Sequence, residues 1–355
     1  METNILVLGG TGAMGSHLCK ILKEAGYHVY VTSRRERKDV DGISYIKGNA
    51  HDMPFLTQLL KQYQWKAIVD FMVYTTEDFQ QRYQLFLDAT SQYFFLSSAR
   101  VYAESQQPLT EDSPRLLDVV KDEAYLATDE YALAKARQEN LLMQSGKRNW
   151  TVIRPYITFD EYRLQLSSAE KEWWLYRALQ GRTIIFSKDL ACKYTSLTYG
   201  YDVARGIAAL IGKESACGEC FHITTDDKYK WSELLEAYLD AIEKETRTRP
   251  KVKMLEKWSP LVGGSPLQVK WDRLYNRKFD NSKINRFIDT STFKGTMSAL
   301  KDCVRVFIKK PYFRPISWKE EAKRDRFTRE WTRLSEIPSW SQKIKYTLTR
   351  SGFLS

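Results

Sequence analysis

The chain has 355 residues, 43% of them hydrophobic, enough to bury a large core and more than one small domain requires. Its 55 Lys and Arg against 44 Asp and Glu give +11 at pH 7, which favours anionic partners: phosphate-bearing small molecules, nucleic acid or a membrane surface. No apolar run approaches the roughly 18 residues of a membrane span, the cysteines number five, and no basic-then-apolar leader opens the chain, so a reducing, cytoplasmic location is expected.

The first segment, "NILVLGGTGAMGSHLCKILKEAGYHVYVTSRRE", reads as strand, glycine turn, helix, strand. Ile5 to Leu8 form a continuous apolar run of strand length, Gly9, Gly10, Gly12 and Gly15 follow at once, and Leu18, Ile21, Leu22 and Ala25 recur at helical spacing. Such a junction lets the backbone approach a diphosphate at the helix N-terminus, with Gly9, Gly12, Ala13, Met14 and Gly15 as its contacts. A second strand, His28 to Thr32, arrives on schedule. An NAD site places a carboxylate after it; here Ser33 and Arg34 stand there, and a hydroxyl beside a guanidinium suits a 2′-phosphate. NADP(H) is therefore favoured over NAD(H).

The third strand, "GISYIKGNAHD", ends at Gly48 and Asn49, and the fourth, "AIVDFMVYT", is expected from Ala67 to about Val73. Phe71 and Met72 would line the cofactor groove, and Asp70 reads as a buried acid that needs a partner. One helix, "EDFQQRYQLFLDAT", leads to a fifth strand, "QYFFLSS", and "WTVIRPYITF" is the sixth. Between these two strands, "DEYALAK" puts Tyr131 and Lys135 on one helical face. The pair fits an ordinary surface contact or a catalytic acid/base. "CGEC", from Cys217 to Cys220, has redox spacing but leads into "FHIT", a strand, and no second Cys/His pair follows, so neither redox chemistry nor a metal is expected.

Three motifs in order carry a resemblance: G-x-x-G-x-x-G at Gly9, Gly12 and Gly15, S-x-x-V-Y from Ser98 to Tyr102, and Y-x-x-x-K at Tyr131 and Lys135. Together they resemble the short-chain dehydrogenase/reductase superfamily, in particular its extended branch of NAD(P)-dependent nucleotide-sugar epimerases, dehydratases and reductases, over about the first 160 residues. The resemblance implies an α/β fold, a Rossmann-type doubly wound parallel sheet with a smaller C-terminal substrate lobe. It also implies catalysis by Ser98, Tyr131 and Lys135. Ser98 would hydrogen-bond the substrate oxygen, and Lys135 would hold the nicotinamide ribose as well as lower the Tyr131 phenol from its usual ~10. Asn49 stands where the family has an Asp at the adenine. Dehydratases of the branch resemble T-D-E-V-Y at the Ser98 position, and Ala99 and Arg100 replace both acids here, so reversible hydride transfer at a carbinol carbon is expected, with keto-sugar reduction as the alternative. The short connection before "QYFFLSS" and the segment "LYNRKFDNSKINRF" resemble a compact subgroup that includes chloroplast stem-loop RNA-binding relatives, which keeps a nucleic-acid-binding role as a reading of another class.

The expected organisation is a nucleotide-binding domain over 1–160 with a return segment at about 195–225, a substrate lobe over 161–194 and 226–310, and a basic, aromatic extension over 311–355. Trp173, Trp174, Leu175 and Leu179 read as helix core. Candidate substrate contacts are Arg100, Tyr102, Tyr156, Lys193 and Arg273, with Arg277 a further candidate for a diphosphate. A nucleotide-sugar substrate and a homodimer are expected, with no specific nucleic acid. The tail reads first as a packed helical cap, with an oligomer contact and a surface that meets anionic lipid headgroups as the other readings.

Overall fold

The computed structural model describes residues 3–354, which fall into two compact units. Among the described residues the first comprises 3–160, 196–228 and 277–296; the second comprises 161–195, 229–276 and 297–354. The segment 277–296, expected in the lobe, clusters with the first unit, and the tail clusters with the second.

Among the described residues of the first unit, seven strands form one parallel sheet. They are β1 (Asn4–Leu8), β2 (His28–Ser33), β3 (Ile43–Lys47), β4 (Ala67–Asp70), β5 (Tyr93–Leu96), β6 (Trp150–Pro155) and a last strand, Glu219–Ile223. Across the sheet the last strand is followed by β6, β5, β4, β1, β2 and β3. The apolar runs are unbroken because both faces are covered. Ile5, Val7, Val31, Val69 and Phe94 pack on one side with Leu18 and Leu22 of helix α1 (Gly15–Glu24), while Leu6, Leu8, Ile68, Phe95 and Val152 pack on the other with Leu56 and Leu59 of α2 (Met53–Leu60).

Three elements differ from expectation, each for a local reason. β4 stops at Asp70, not Val73, because the Asp70 carboxylate accepts the Met72 N–H at 2.9 Å and turns the chain out of the ladder. The single helix expected after it is two, Thr76–Gln80 and Tyr83–Ala89, since the buried Arg82 side chain donates to the Asp78 carbonyl at 2.6 Å and closes the first. The sixth strand likewise divides: Pro155, lacking an N–H, ends β6, and Ile157–Phe159 pairs instead with Leu197–Tyr199.

In the second unit, the helix Lys171–Leu179 buries Trp174 and Leu175, with Trp173 and Leu179 half-buried, and the Trp174 ring lies 4.6 Å from that of Tyr238. The same helix carries Arg177, whose wholly buried guanidinium donates to Glu321 at 2.6 Å, Asp325 at 2.7 Å and Glu330 at 2.9 Å. Asp325 also accepts from Thr332 and from the Tyr346 hydroxyl, each at 2.7 Å. This charged cluster fastens the helix Trp318–Thr328 and the last helix, Trp340–Ser351, into the second unit. No described helix is long and apolar enough to cross a membrane.

Candidate active site

The glycines of the turn after β1 differ in what they require. Gly9 adopts φ +69°, a left-handed conformation that favours glycine, and its N–H donates to the Thr32 hydroxyl. A Cβ on Gly15 would stand 2.6 Å from the Gly10 Cα, so the close approach of α1 to the turn admits no side chain. A Cβ on Gly12 would meet nothing within 4 Å. The turn therefore opens outward at Gly12, at the N-terminus of α1, and that is a fit for a diphosphate. Ala13 and Met14 continue this turn into the helix, the Ala13 carbonyl lying against Gly200.

Beside it lies a cleft of about 250 Å³ lined by Gly9, Thr11, Ser33, Arg34, Asn49 and Met72, among others. No described residue lining it carries a carboxylate. Arg34 is exposed; the Ser33 hydroxyl donates to the Arg35 carbonyl at 2.7 Å, and Asn49 accepts the His51 N–H. Phe71 lies partly buried against the sheet core, and the Met72 sulfur sits beside Gly9.

The candidate reacting groups lie at the carboxyl end of β5 and on the helix Tyr131–Met143. Ser98 is buried, with extended backbone, and its hydroxyl accepts the Arg100 N–H at 3.2 Å to begin the short turn Ala99–Val101. Glu130 caps the helix: its carboxylate accepts from the Ala132 N–H and the Tyr125 hydroxyl and takes a 2.5 Å bond from the Arg100 guanidinium. That guanidinium lies 5.2 Å from the Tyr131 ring centre, and the Lys135 ammonium lies 5.9 Å from the same ring. Two cationic side chains thus lie against one phenol ring.

Lys135 is wholly buried, its nitrogen 4.4 Å from the Phe95 ring centre, and among the described residues it has no hydrogen-bond partner. Burial pushes its pKa down to about 8, against the pull of Asp70 and Glu139. Asp70 pairs with Phe95 across β4 and β5, and burial pushes its carboxyl up to about 6 despite bonds from the Met72 N–H and the Tyr93 hydroxyl and the charge of Lys135. A buried ammonium without acceptors is a fit for the hydroxyls of a bound ribose.

The orphaned ammonium has a measurable consequence. A lysine whose folded pKa lies below its unfolded value weakens the fold fully at pH below about 8, and the penalty fades as pH rises towards the ordinary lysine value. Lys135→Met should raise stability at pH 7 by about 1–3 kcal/mol, and denaturant unfolding should show that gain shrinking above pH 8. A loss of stability would mean that Lys135 is a structural group.

Glu139, one turn beyond Lys135, is wholly buried and went unnoticed in the sequence. It accepts from Ser97 at 2.5 Å, from Arg154 at 2.9 and 2.8 Å and from Arg115 at 3.2 Å, so it ties the helix to the ends of β5 and β6. Its spacing, i+8 from Tyr131 and i+4 from Lys135, was the available signal. Tyr102 joins the same network: wholly buried, it accepts from Arg154 at 3.1 Å and meets His222 at 3.3 Å. Tyr156 is buried against the Phe279 ring, and Arg277, also wholly buried, donates to the carbonyls of Tyr102 and Ala103. Lys193 and Arg273 belong to the second unit, where Arg273 is buried on Asp272 and the Ser167 carbonyl. Of the two "CGEC" thiols, Cys220 is buried and pushed up to about 12, and burial also raises Cys217, the reverse of what a thiolate nucleophile needs.

The pattern of the NAD dependent epimerase/dehydratase family matches residues 5–223. A curated relative, the chloroplast stem-loop binding protein of 41 kDa b from Arabidopsis thaliana, is 27% identical over 244 residues, 64% of this chain; the chain spans about 60% of that relative's length. Among solved structures, the Bordetella bronchiseptica enzyme WbmH, in complex with NAD+, superposes with a TM-score of 0.67 at 17% identity, over 87% of this chain and 100% of that one. UDP-glucuronic acid 4-epimerase from Bacillus cereus, in complex with UDP-glucuronic acid and NAD, gives 0.64 at 18% identity, over 87% and 100%. The structural likenesses bear on fold alone. The family pattern, which runs through the glycine turn, Ser98, Tyr131 and Lys135, covers more than half of the sequence, and the chain belongs to the NAD-dependent epimerase/dehydratase family.

Proposed function

We propose that this chain is an epimerase of a nucleotide-activated sugar, acting by reversible hydride transfer at a carbinol carbon with Tyr131 as acid/base. The observation that carries the reading is the wholly buried, unpartnered ammonium of Lys135 beneath Tyr131. A fold retained only for packing would gain stability by losing that charge. The turn at Gly12 and the N-terminus of α1 would hold the diphosphate of a nicotinamide dinucleotide, Asn49 the adenine, and Lys135 the ribose. The dinucleotide supplies the hydride acceptor and donor. Tyr131 takes the carbinol proton and returns it, helped by Arg100 and Lys135, which favour its phenolate. Ser98 donates a hydrogen bond to the same substrate oxygen and fixes its position. Ala99 and Arg100 offer no acid for eliminating water, and Arg100 is engaged by Glu130. The sugar-nucleotide class draws on the Bacillus cereus neighbour, whose bound ligand is UDP-glucuronic acid.

Ser33 and Arg34, in a cleft without carboxylates, support NADP(H) as the dinucleotide. Arg34→Ala should weaken NADP(H) by roughly tenfold or more while leaving NAD(H) within about twofold, as calorimetry would read it. Protein purified without added nucleotide and then denatured should release oxidised dinucleotide at about one per chain, since an epimerase regenerates its cofactor within each cycle. An empty site that takes reduced NADP tightly would turn the reading to keto-sugar reduction. Affinity for neither dinucleotide would end both readings and favour nucleic-acid binding, the reading that stem-loop binding in the name of the plant relative supports.

A further inference from the structure

The last helix, Trp340–Ser351, turns its larger apolar side chains outward. Tyr346 and Thr349 face the rest of the second unit and are buried, whereas Trp340 is 78% exposed, Ile344 57% and Leu348 37%. These three are spaced four residues apart, so they form one stripe that drifts slowly around the helix along the middle of its open face. The chain then reverses at Gly352 (φ +89°), and the Phe353 N–H donates to the Leu348 carbonyl at 2.9 Å. Phe353 (80% exposed) and Leu354 (45%) therefore lengthen the stripe.

Charge decides what this stripe fits. From Ile337 onward the sequence holds Lys343, Lys345 and Arg350 and no acid. On a helical projection Lys343 and Lys345 fall on opposite sides of the stripe, and the Lys343 ammonium lies 5.1 Å from the Trp340 ring. Just upstream, the two acids among residues 326–336 are turned inward: Glu330 accepts from Arg177 and Thr183, and Glu336 from Arg182 and Tyr176. Arg326, Arg329 and Arg333 remain exposed. The buried cluster thus engages Glu330 and Glu336 and leaves Arg326, Arg329 and Arg333 outside. A second copy laid on the stripe in twofold fashion would set lysines against lysines, an arrangement that is not self-complementary. An anionic bilayer surface supplies what is missing, with headgroup phosphates for the lysines and an acyl boundary for Trp340, Ile344 and Phe353.

We propose that the helix Trp340–Ser351 and the two residues after Gly352 dock the protein in-plane on anionic lipid surfaces. The proposal is independent of the reading of Tyr131 and Lys135. Flotation of the full chain with vesicles tests it. With phosphatidylcholine carrying about 30% phosphatidylglycerol the protein should float, with phosphatidylcholine alone it should not, and about 1 M salt, which screens charges beyond roughly 3 Å, should release it. Trp340→Ser with Ile344→Ser should reduce binding by roughly tenfold or more at unchanged melting temperature, both side chains being exposed, and Lys343→Gln with Lys345→Gln should do the same. Absence of flotation with anionic vesicles, flotation unaltered in the Trp340/Ile344 variant, or a lipid-free dimer by light scattering that this variant dissociates would each overturn the proposal.

Discussion

Tyr131→Phe is expected to lower turnover by about 10³-fold, within the 10²–10⁴ that a positioned proton-transfer group contributes. The substitution removes one oxygen and leaves a ring that still fills the space between Arg100 and Lys135. Dinucleotide affinity should therefore stay within about twofold, and the loss should fall on kcat with little change in KM, the signature of a group that acts at the transition state. Full turnover in the variant would remove Tyr131 from the chemistry and with it the epimerase reading. Loss of dinucleotide affinity together with turnover would make the phenol a packing group. The two parameters must be measured together, because the helix that carries Tyr131 also carries Lys135 and Glu139.

The largest effect on stability should come from Arg177→Leu. Its guanidinium is the shared partner of Glu321 and Asp325, both wholly buried, and also holds Glu330. Removing Arg177 leaves buried Asp325 without its ion partner and Glu321 with only the longer contacts to Arg182 and Arg324, and costs about 3–5 kcal/mol, well above the gain from the added apolar atoms. Burial raises the Glu321 pKa and Arg177 lowers it, so deleting Arg177 should raise it further. A carboxyl raised in the folded state weakens the fold above its unfolded pKa and regains that stability as pH falls through the folded value. The deficit of Arg177→Leu should accordingly be larger at pH 7 than at pH 5 in denaturant unfolding. Adding Glu321→Gln should recover part of it at pH 7, and an equal deficit at both pH values would show that the carboxylates are not the source.

What the sequence disclosed is what local pattern dictates. The apolar runs of β1 and β5, the glycines that needed φ +69° or a bare Cα, and the Tyr131 and Lys135 spacing are all decided within a few residues of chain. The boundary errors are local too, and they arose because side chains intervened: the Asp70 carboxylate ended β4 early, and the Arg82 guanidinium closed a helix. Partners far apart in sequence were hidden. Nothing near Glu139 announces that Ser97, Arg115 and Arg154 converge on it, and nothing near Arg177 announces three acids about 150 residues away. Arg277 reads as a phosphate candidate because an isolated arginine always does; that it also donates to the carbonyls of Tyr102 and Ala103 was hidden in the same way.

The last strand of the sheet, Glu219–Ile223, pairs with β6 only after the chain has run through 161–195 in the second unit. During synthesis at about 5–20 residues per second, β6 emerges well before its partner and for several seconds offers an open row of peptide groups from Thr151 to Pro155. Thr151, Val152 and Ile153, buried in the finished sheet, then lie along an exposed edge of the nascent chain, a template for wrong pairing. The open edge therefore belongs to the ribosome-bound chain and is closed in the finished sheet by Glu219–Ile223.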